Sequence, residues 1–585
     1  MSAPRSPETP SAAQRTGRLR RLTLVALVVA SAVVGAGATT VGGVGTTAAG
    51  DASLSTPRFV SLVPNPVATD DRGERLTVAL PEARPAGPIT LSDGETVVRV
   101  PWRSGGRVVL TPDPGAVDPP VSTGDATGST GRVVEAPGLS LSNAGERLDL
   151  RVGNRTVDVF RYRDAPEGER LVRSPAGGGT APVERVPVGL DPRPVAATGS
   201  GRVTAFVLPD AAGVPVATLR GADRRILLAG YTFASERVAR LLVAAVRRGV
   251  EVRVLVEGAP VGGATARQAA LLDRLAAAGV DVRAIGGPRA RVDFHHAKYA
   301  VVDDRALVLT ENWKPAGTGG RDSRGWGVRV ESARFADELA AVYAHDADWR
   351  DAVPWRRFRA GRSFRDEPAA NGSFAGDRDP ARVRADAVRL LTAPGNAGDA
   401  LAAEIDGAER RVAVLQPTLG GPDQRLVRAT IRAARRGVDV RILLSRAWYV
   451  REDNRALARR LNARADREGL SLSVRLARGD DRFGKVHAKG LVVDDTVVVG
   501  SVNWNDHSIE ENREVAVALD GPPADYFRGA FDADWRRASR PGGREGPPLP
   551  LLGAAAVAVL GAVAVARRTI GWADGDGRRF EEWRS

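Results

Sequence analysis

Histidine and lysine are scarce in this chain of 585 residues. Of 84 basic side chains only Lys298, Lys314, Lys485 and Lys489 are lysine, and there are five histidines. Random placement gives about 0.03 occurrences of lysine two places after histidine, yet there are two. They lie in "FHHAKYAVVDDRALVLTENW" (294–313) and "VHAKGLVVDDTVVVGSVNW" (486–504). Both run His-Ala-Lys, two residues, Val-Val-Asp-Asp, an apolar run, then x-Asn-Trp. Asp303 follows His296 by the same interval as Asp494 follows His487. A stretch this improbable, written twice, constrains the chain to fold as two like lobes.

The duplication extends beyond the motif. "RRILLAGYTFASERVARLLVAAVRRGVEVRVL" (224–255) matches "RRVAVLQPTLGGPDQRLVRATIRAARRGVDVRIL" (410–443), and "DADWR" recurs at 346 and 532. Short apolar runs alternate with segments of helical apolar spacing, one opened by a Ser cap and closed by Gly. The order strand, helix, strand, helix, strand, strand, strand, helix predicts an α/β sandwich with a mixed sheet in each copy. His and Lys two apart on a strand face the same way, and a pseudo-twofold between copies brings the two faces together.

Two histidines with two lysines suit phosphodiester chemistry. Lysines neutralise the non-bridging oxygens, one imidazole attacks phosphorus, and the other protonates the leaving oxygen and then activates water or an alcohol. Lys and Asn donors carry the developing charge, so no metal or other cofactor is expected.

With these residues in view, the sequence resembles the phospholipase D superfamily, marked by His-x-Lys-x4-Asp and a following Gly-Ser-x-Asn. In the second copy these are His487, Lys489, Asp494, Gly500, Ser501 and Asn503. In the first, His296, Lys298, Asp303 and Asn312 match, with Leu309 and Thr310 in place of Gly and Ser. The resemblance implies His296, His487, Lys298 and Lys489 as catalytic, and Asn312, Asn503, Thr310 and Ser501 as phosphate-binding. Asp303, Asp494 and Glu514 are supporting. It implies that the two aspartates form buried ion pairs and that Glu514, in "NREVA", hydrogen-bonds His487. "SRGWG" (323–327) stands in the matching place of the first copy, without an acid. That asymmetry makes His487 the protonated general acid and His296 the neutral nucleophile. Trp313 and Trp504 read as packing residues, His295 as solvated on the opposite face, and His345 and His507 carry no pattern.

The expected architecture is α/β: two tandem phospholipase D-like α/β sandwich units about a pseudo-twofold (204–352 and 388–538), joined by a linker at 353–387. A small all-β sandwich at 56–165 precedes them, read from short Val- and Thr-rich runs between turns. It resembles a lamin-tail domain, and 166–203 reads as a Pro/Gly linker. "LTLVALVVASAVVGAGA" behind "RLRR" lies within 22–48, a signal peptide or signal anchor. "LPLLGAAAVAVLGAVAVA" (549–566) follows a linker (539–548) and is long enough for a transmembrane helix. The basic residues flanking both place the tails, 1–21 and 567–585, in the cytoplasm and the rest outside the cell membrane.

There is no cysteine, which excludes disulfides, thiol chemistry and cysteine-based metal sites. The net charge of +14 is carried by scattered arginines rather than by a basic block. The reading that results is a membrane-anchored extracytoplasmic enzyme hydrolysing or transferring phospholipid head groups. The alternatives are an exported metal-independent nuclease with nucleic acid as partner, and a catalytically degenerate surface scaffold.

Overall fold

The computed structural model describes residues 54–538, apart from 68–71, 103–104, 118–131, 174–182, 191–192, 288–289, 320, 367–372, 375 and 480–481. The apolar segments within 22–48 and at 549–566, with both tails, lie outside the described residues. Among the described residues no helix is long and apolar enough to cross a membrane. Every described element lies in one unit of the chain.

The N-terminal region forms two antiparallel-rich sheets of six and four strands. Their residues alternate in and out: along Val97–Val100 every second side chain is buried. Phe59, Leu62, Leu76, Ile89, Leu148 and Phe160 share one core, with Phe59 edge-on to Phe160 at 5.8 Å. The stretch 166–203, expected as a linker, is partly sheet. Glu169–Arg173 and Val183–Pro187 pair with each other, and the first also joins Arg58–Val63. Their charged residues mask the strand pattern in the sequence.

Each repeat carries a mixed sheet, as expected. In the first, Arg225–Gly230, Glu251–Glu257 and Asp281–Ile285 run parallel, connected by helices Glu236–Arg247 and Ala266–Ala277. Ser235 caps the first helix by accepting from the Val238 amide at 3.3 Å, and Thr265 caps the second. Tyr299–Val302, Arg305–Leu309 and Ser323–Glu331 extend the sheet antiparallel. The second repeat matches it: Arg411–Gln416, Asp439–Leu444 and Leu472–Leu476 are parallel, followed by Gly490–Val493, Thr496–Gly500 and Glu514–Asp520 in antiparallel order.

Each repeat also opens with a strand and helix that the periodicity did not predict: Gly201–Leu208 with Gly213–Arg220, and Val388–Ala393 with Ala397–Asp406. The stretch expected as a linker at 353–387 is likewise built in. Trp355–Arg359 is a short helix burying Trp355 and Phe358, and Ala381–Ala385 pairs along Gly201–Leu208 at the edge of the first sheet. Ala196–Ala197, ahead of the first repeat, pairs with Val388–Ala393 at the edge of the second.

The two repeats share a core in which Trp326, Tyr343, Phe527 and Trp535 contribute from opposite sides. They also exchange main chain, since Ser323–Arg324 pairs in parallel with Lys485–Val486. Two buried ion pairs cross between repeats: Arg324 to Asp534 at 3.1 Å and Arg513 to Asp346 at 3.0 Å.

Candidate active site

Each His-Ala-Lys segment lies just before the strand it was expected to begin, the strands starting at Tyr299 and Gly490. What holds it is the opposite repeat. The His296 amide donates to the Arg513 carbonyl at 2.9 Å, and the His487 amide to the Arg324 carbonyl at 3.0 Å. The same two arginines whose side chains cross the interface thus fix both histidines through their main chain.

The carboxylates cross over as well. Glu514 does not reach His487, as the sequence suggested; both its oxygens lie on Nδ1 of His296, at 2.9 and 3.0 Å. Nδ1 of His487 is 3.3 Å from Oε2 of Glu311, a residue of the first repeat that the sequence reading passed over. Both acids are buried, and the imidazoles keep 13% and 21% of their side-chain surface exposed. With an acid on each ring, the ground for making His296 the unpaired nucleophile falls away. The pairing was misassigned because nearness in sequence stood in for nearness across a pseudo-twofold.

The two His-Lys pairs act on one another. Burial pushes each imidazole down to about 4. Glu514 and Glu311 oppose this, while Lys298 and Lys489 each act on both rings to deepen it. Burial also lowers Lys489 to about 8 and holds Lys298 well below the usual lysine range, against the pull of both glutamates. Burial works to raise Glu514 and Glu311, but His296 and His487 respectively keep them below the usual carboxylate range. Lys489 donates to the His487 carbonyl at 2.7 Å and Lys298 to that of His296. Tyr231, also absent from the sequence reading, stacks edge-on to His296 at 4.7 Å, with the Lys298 ammonium 5.3 Å above its ring.

Other residues fall elsewhere than expected. Asp303 and Asp494 sit at the far ends of the motif strands, at positive φ of 54° and 44°. They are not primarily ion-paired. Asp303 accepts from the amides of Asp223, Arg224 and Arg225 at 2.8–3.1 Å, with Arg305 beside it. Asp494 accepts from those of Glu409, Arg410 and Arg411 at 2.8–3.0 Å. Thr310 and Ser501 are buried with their hydroxyls engaged by the neighbouring strand, accepting from the Trp326 and Val515 amides at 2.9 and 3.0 Å. Both hydroxyls are thus engaged within the sheet. Asn312 and Asn503 are half-buried beside them, and Oδ1 of Asn312 has no hydrogen-bond partner among the described residues.

Trp313 and Trp504 are packing residues: Trp313 donates to the Ala229 carbonyl at 2.8 Å, and both are buried. His295, expected in solvent, is fully buried and 3.2 Å from Asp346. His345 also contacts Asp346, at 3.2 Å. Asp293, His507 and Glu511 bring donor atoms within 4.8 Å of one another, a grouping able to hold a metal ion. Asp293 and Glu511 are solvent-exposed and His507 half-buried.

A family model described as "Cardiolipin synthase, PLD-like domain" matches residues 216–347 and 401–535, one segment per repeat. The chain belongs to the phospholipase D superfamily. Among solved structures, it is similar to phosphatidylserine synthase of Haemophilus influenzae Rd KW20, at 13% identity over 58% of this chain and 86% of that one, TM-score 0.45. It is also similar to polyphosphate kinase of Porphyromonas gingivalis, at 15% identity over 59% and 53%, TM-score 0.39. Against Nuc of Salmonella typhimurium the figures are 20%, 26% and 96%, TM-score 0.23. No curated protein matches the chain. The family match does not reach the N-terminal sandwich, so the lamin-tail likeness rests on sequence alone. As a phospholipase D superfamily member, the protein has a site built for phosphoryl transfer.

Proposed function

We propose that the protein cleaves or exchanges phospholipid head groups at a membrane surface through a phosphohistidine intermediate. The observation that carries the chemistry is the pair of imidazoles, each with Nδ1 against a buried carboxylate from the opposite repeat. On His296, Nδ1–H donating to Glu514 leaves the Nε2 lone pair free for phosphorus, and on His487 the Glu311 carboxylate 3.3 Å from Nδ1 favours the same tautomer. One Nε2 attacks and displaces the head-group alcohol, and the other imidazolium gives that alcohol its proton. The second imidazole then takes a proton from water, or from an acceptor alcohol, as its oxygen breaks the P–N bond. Lys298 and Lys489 neutralise the non-bridging oxygens. Their positive charge helps hold both rings neutral while the site is empty. A phosphodiester anion offsets that charge and lets one ring take up the proton it must donate.

A second observation favours lipid over nucleic acid. Trp448 and Tyr449, 84% and 48% exposed, lie together on the loop after Asp439–Leu444. Val261, 75% exposed, lies on the loop after the corresponding strand of the first repeat, Glu251–Glu257. Both loops border the site: the Tyr449 phenol feels Lys485 and Glu311, and the Val261 amide donates to Tyr231 Oη at 2.6 Å. An apolar and aromatic rim suits the edge of a bilayer. The terminal apolar segments would anchor the chain there, with the catalytic repeats outside the cytoplasm. In EDTA, the full-length protein should release head groups from labelled phospholipid vesicles and leave plasmid DNA intact. Cleavage of plasmid alone would favour the nuclease reading, and turnover of neither the scaffold.

A further inference from the structure

The register of the two sheets shows where the first repeat's acid went. In the second repeat Gly500 pairs with Ala516, and Ala393 with Glu514. In the first, Leu309 pairs with Gly327, and Leu208 with Gly325. Gly325 therefore holds the place of Glu514, and by the same count Glu311 holds that of Val502. The glycine is bare for a reason: a Cβ on Gly325 would lie 2.4 Å from Cγ of Glu311 and 3.0 Å from its Oε1. The Glu311 side chain fills the space that an acid on the neighbouring strand would take, and from there its Oε2 comes within 3.3 Å of Nδ1 of His487, a charge contact without hydrogen-bond alignment. Its other oxygen is buried without a hydrogen-bond partner among the described residues, whereas Glu514 has both oxygens on His296 and a further hydrogen bond from Ser508.

We infer that Glu311 is the displaced counterpart of Glu514: a positioning residue, reached from a different strand end, that fixes the His487 tautomer, with Gly325 kept bare to admit it. The catalytic consequence rests on the two-histidine reading above; the tautomer assignment does not. Three variants of the full-length chain test it: Glu311→Gln, which keeps the shape; Glu311→Val; and Glu311→Val with Gly325→Glu, which copies the second repeat.

On a p-nitrophenyl phosphodiester, Glu311→Gln should lose about 10²-fold or more in kcat with little change in KM. The relocation double variant should recover at least tenfold over Glu311→Val. Spectra of ¹⁵N-histidine-labelled protein, with five signals to assign, should show His487 as the Nδ1–H form in wild type and in the relocation variant, and a mixture of tautomers in Glu311→Val. A His487 signal unmoved by Glu311→Val, or kcat within threefold of wild type in Glu311→Gln, overturns the inference. Failure of the double variant to restore the tautomer does so too. If the spectra behave as expected but wild-type protein turns over no phosphodiester, it is the two-histidine reading that fails.

Discussion

At the scale of single residues, the site depends on two imidazoles that neither repeat can equip alone. Replacing His296 or His487 by alanine should abolish turnover, and the double variant should be no slower than either single one, because the two act as a unit. Measured kcat above a tenth of wild type in one single variant would refute the division of labour. Proton linkage gives a second expectation. Both rings have folded-state values near 4, below the unfolded 6.5, so the unfolded chain binds protons first as pH falls. Their contribution to stability is complete above pH 6.5 and is lost toward pH 4. The melting temperature should drop across that window, and the drop should shrink in a His296→Asn, His487→Asn double variant. Lys489, lowered to about 8, should set an alkaline limb near that pH in kcat/KM. A profile flat to pH 10 would mean that its charge is not needed. The two His-Lys pairs were legible in the sequence, because scarce residues at a repeated spacing leave little room for chance. Their acids were not: Glu311 sits inside "LTENW" where the other copy has valine, a visible signal with no meaning until the repeats are laid face to face.

At the scale of elements, each motif strand is fastened at both ends. One end is held by the opposite repeat through the histidine amide, the other by an aspartate that gathers three consecutive amides at the start of a parallel strand. The His-x-Lys-x4-Asp motif therefore separates chemistry from anchoring. Asp494→Ala should cost on the order of 3 kcal/mol, as charged hydrogen bonds to the backbone are lost. Denaturant unfolding would measure that cost, with kcat of the folded enzyme changed no more than a few-fold. Loss of kcat without loss of stability would return Asp494 to the catalytic group. The central strands and their capped helices were readable from apolar runs and spacing. The opening strands Gly201–Leu208 and Val388–Ala393 were not recognised, since flanking Pro and Gly made them look like the borders of linkers. Ala381–Ala385, Arg-rich and half exposed, has no strand signal apart from its partner.

At the scale of the whole molecule, the two repeats share a core and trade arginines across it. Arg513→Ala leaves Asp346 buried without its guanidinium, although His295 and His345 stay near. That should cost about 3–5 kcal/mol and disturb His296 through the main chain it holds. Calorimetry of the variant should show one transition at a lower temperature; two separate transitions would mean that the repeats fold independently. The duplication made the pairing of lobes legible. The crossing of their side chains was not, because no periodicity within one repeat encodes which residues of its twin it meets.

The sheet margins bear on solubility. The chain enters by laying Ala196–Ala197 along Val388–Ala393, and leaves the first repeat by laying Ala381–Ala385 along Gly201–Leu208. Each inner edge, apolar and ready to pair with a foreign strand, is thus covered by a strand of two or five residues from its own connecting segments. A truncation beginning at residue 200 would keep both His-Lys pairs and their acids and yet uncover Val388–Ala393, and its first defect should be self-association through that edge rather than a change at the two pairs.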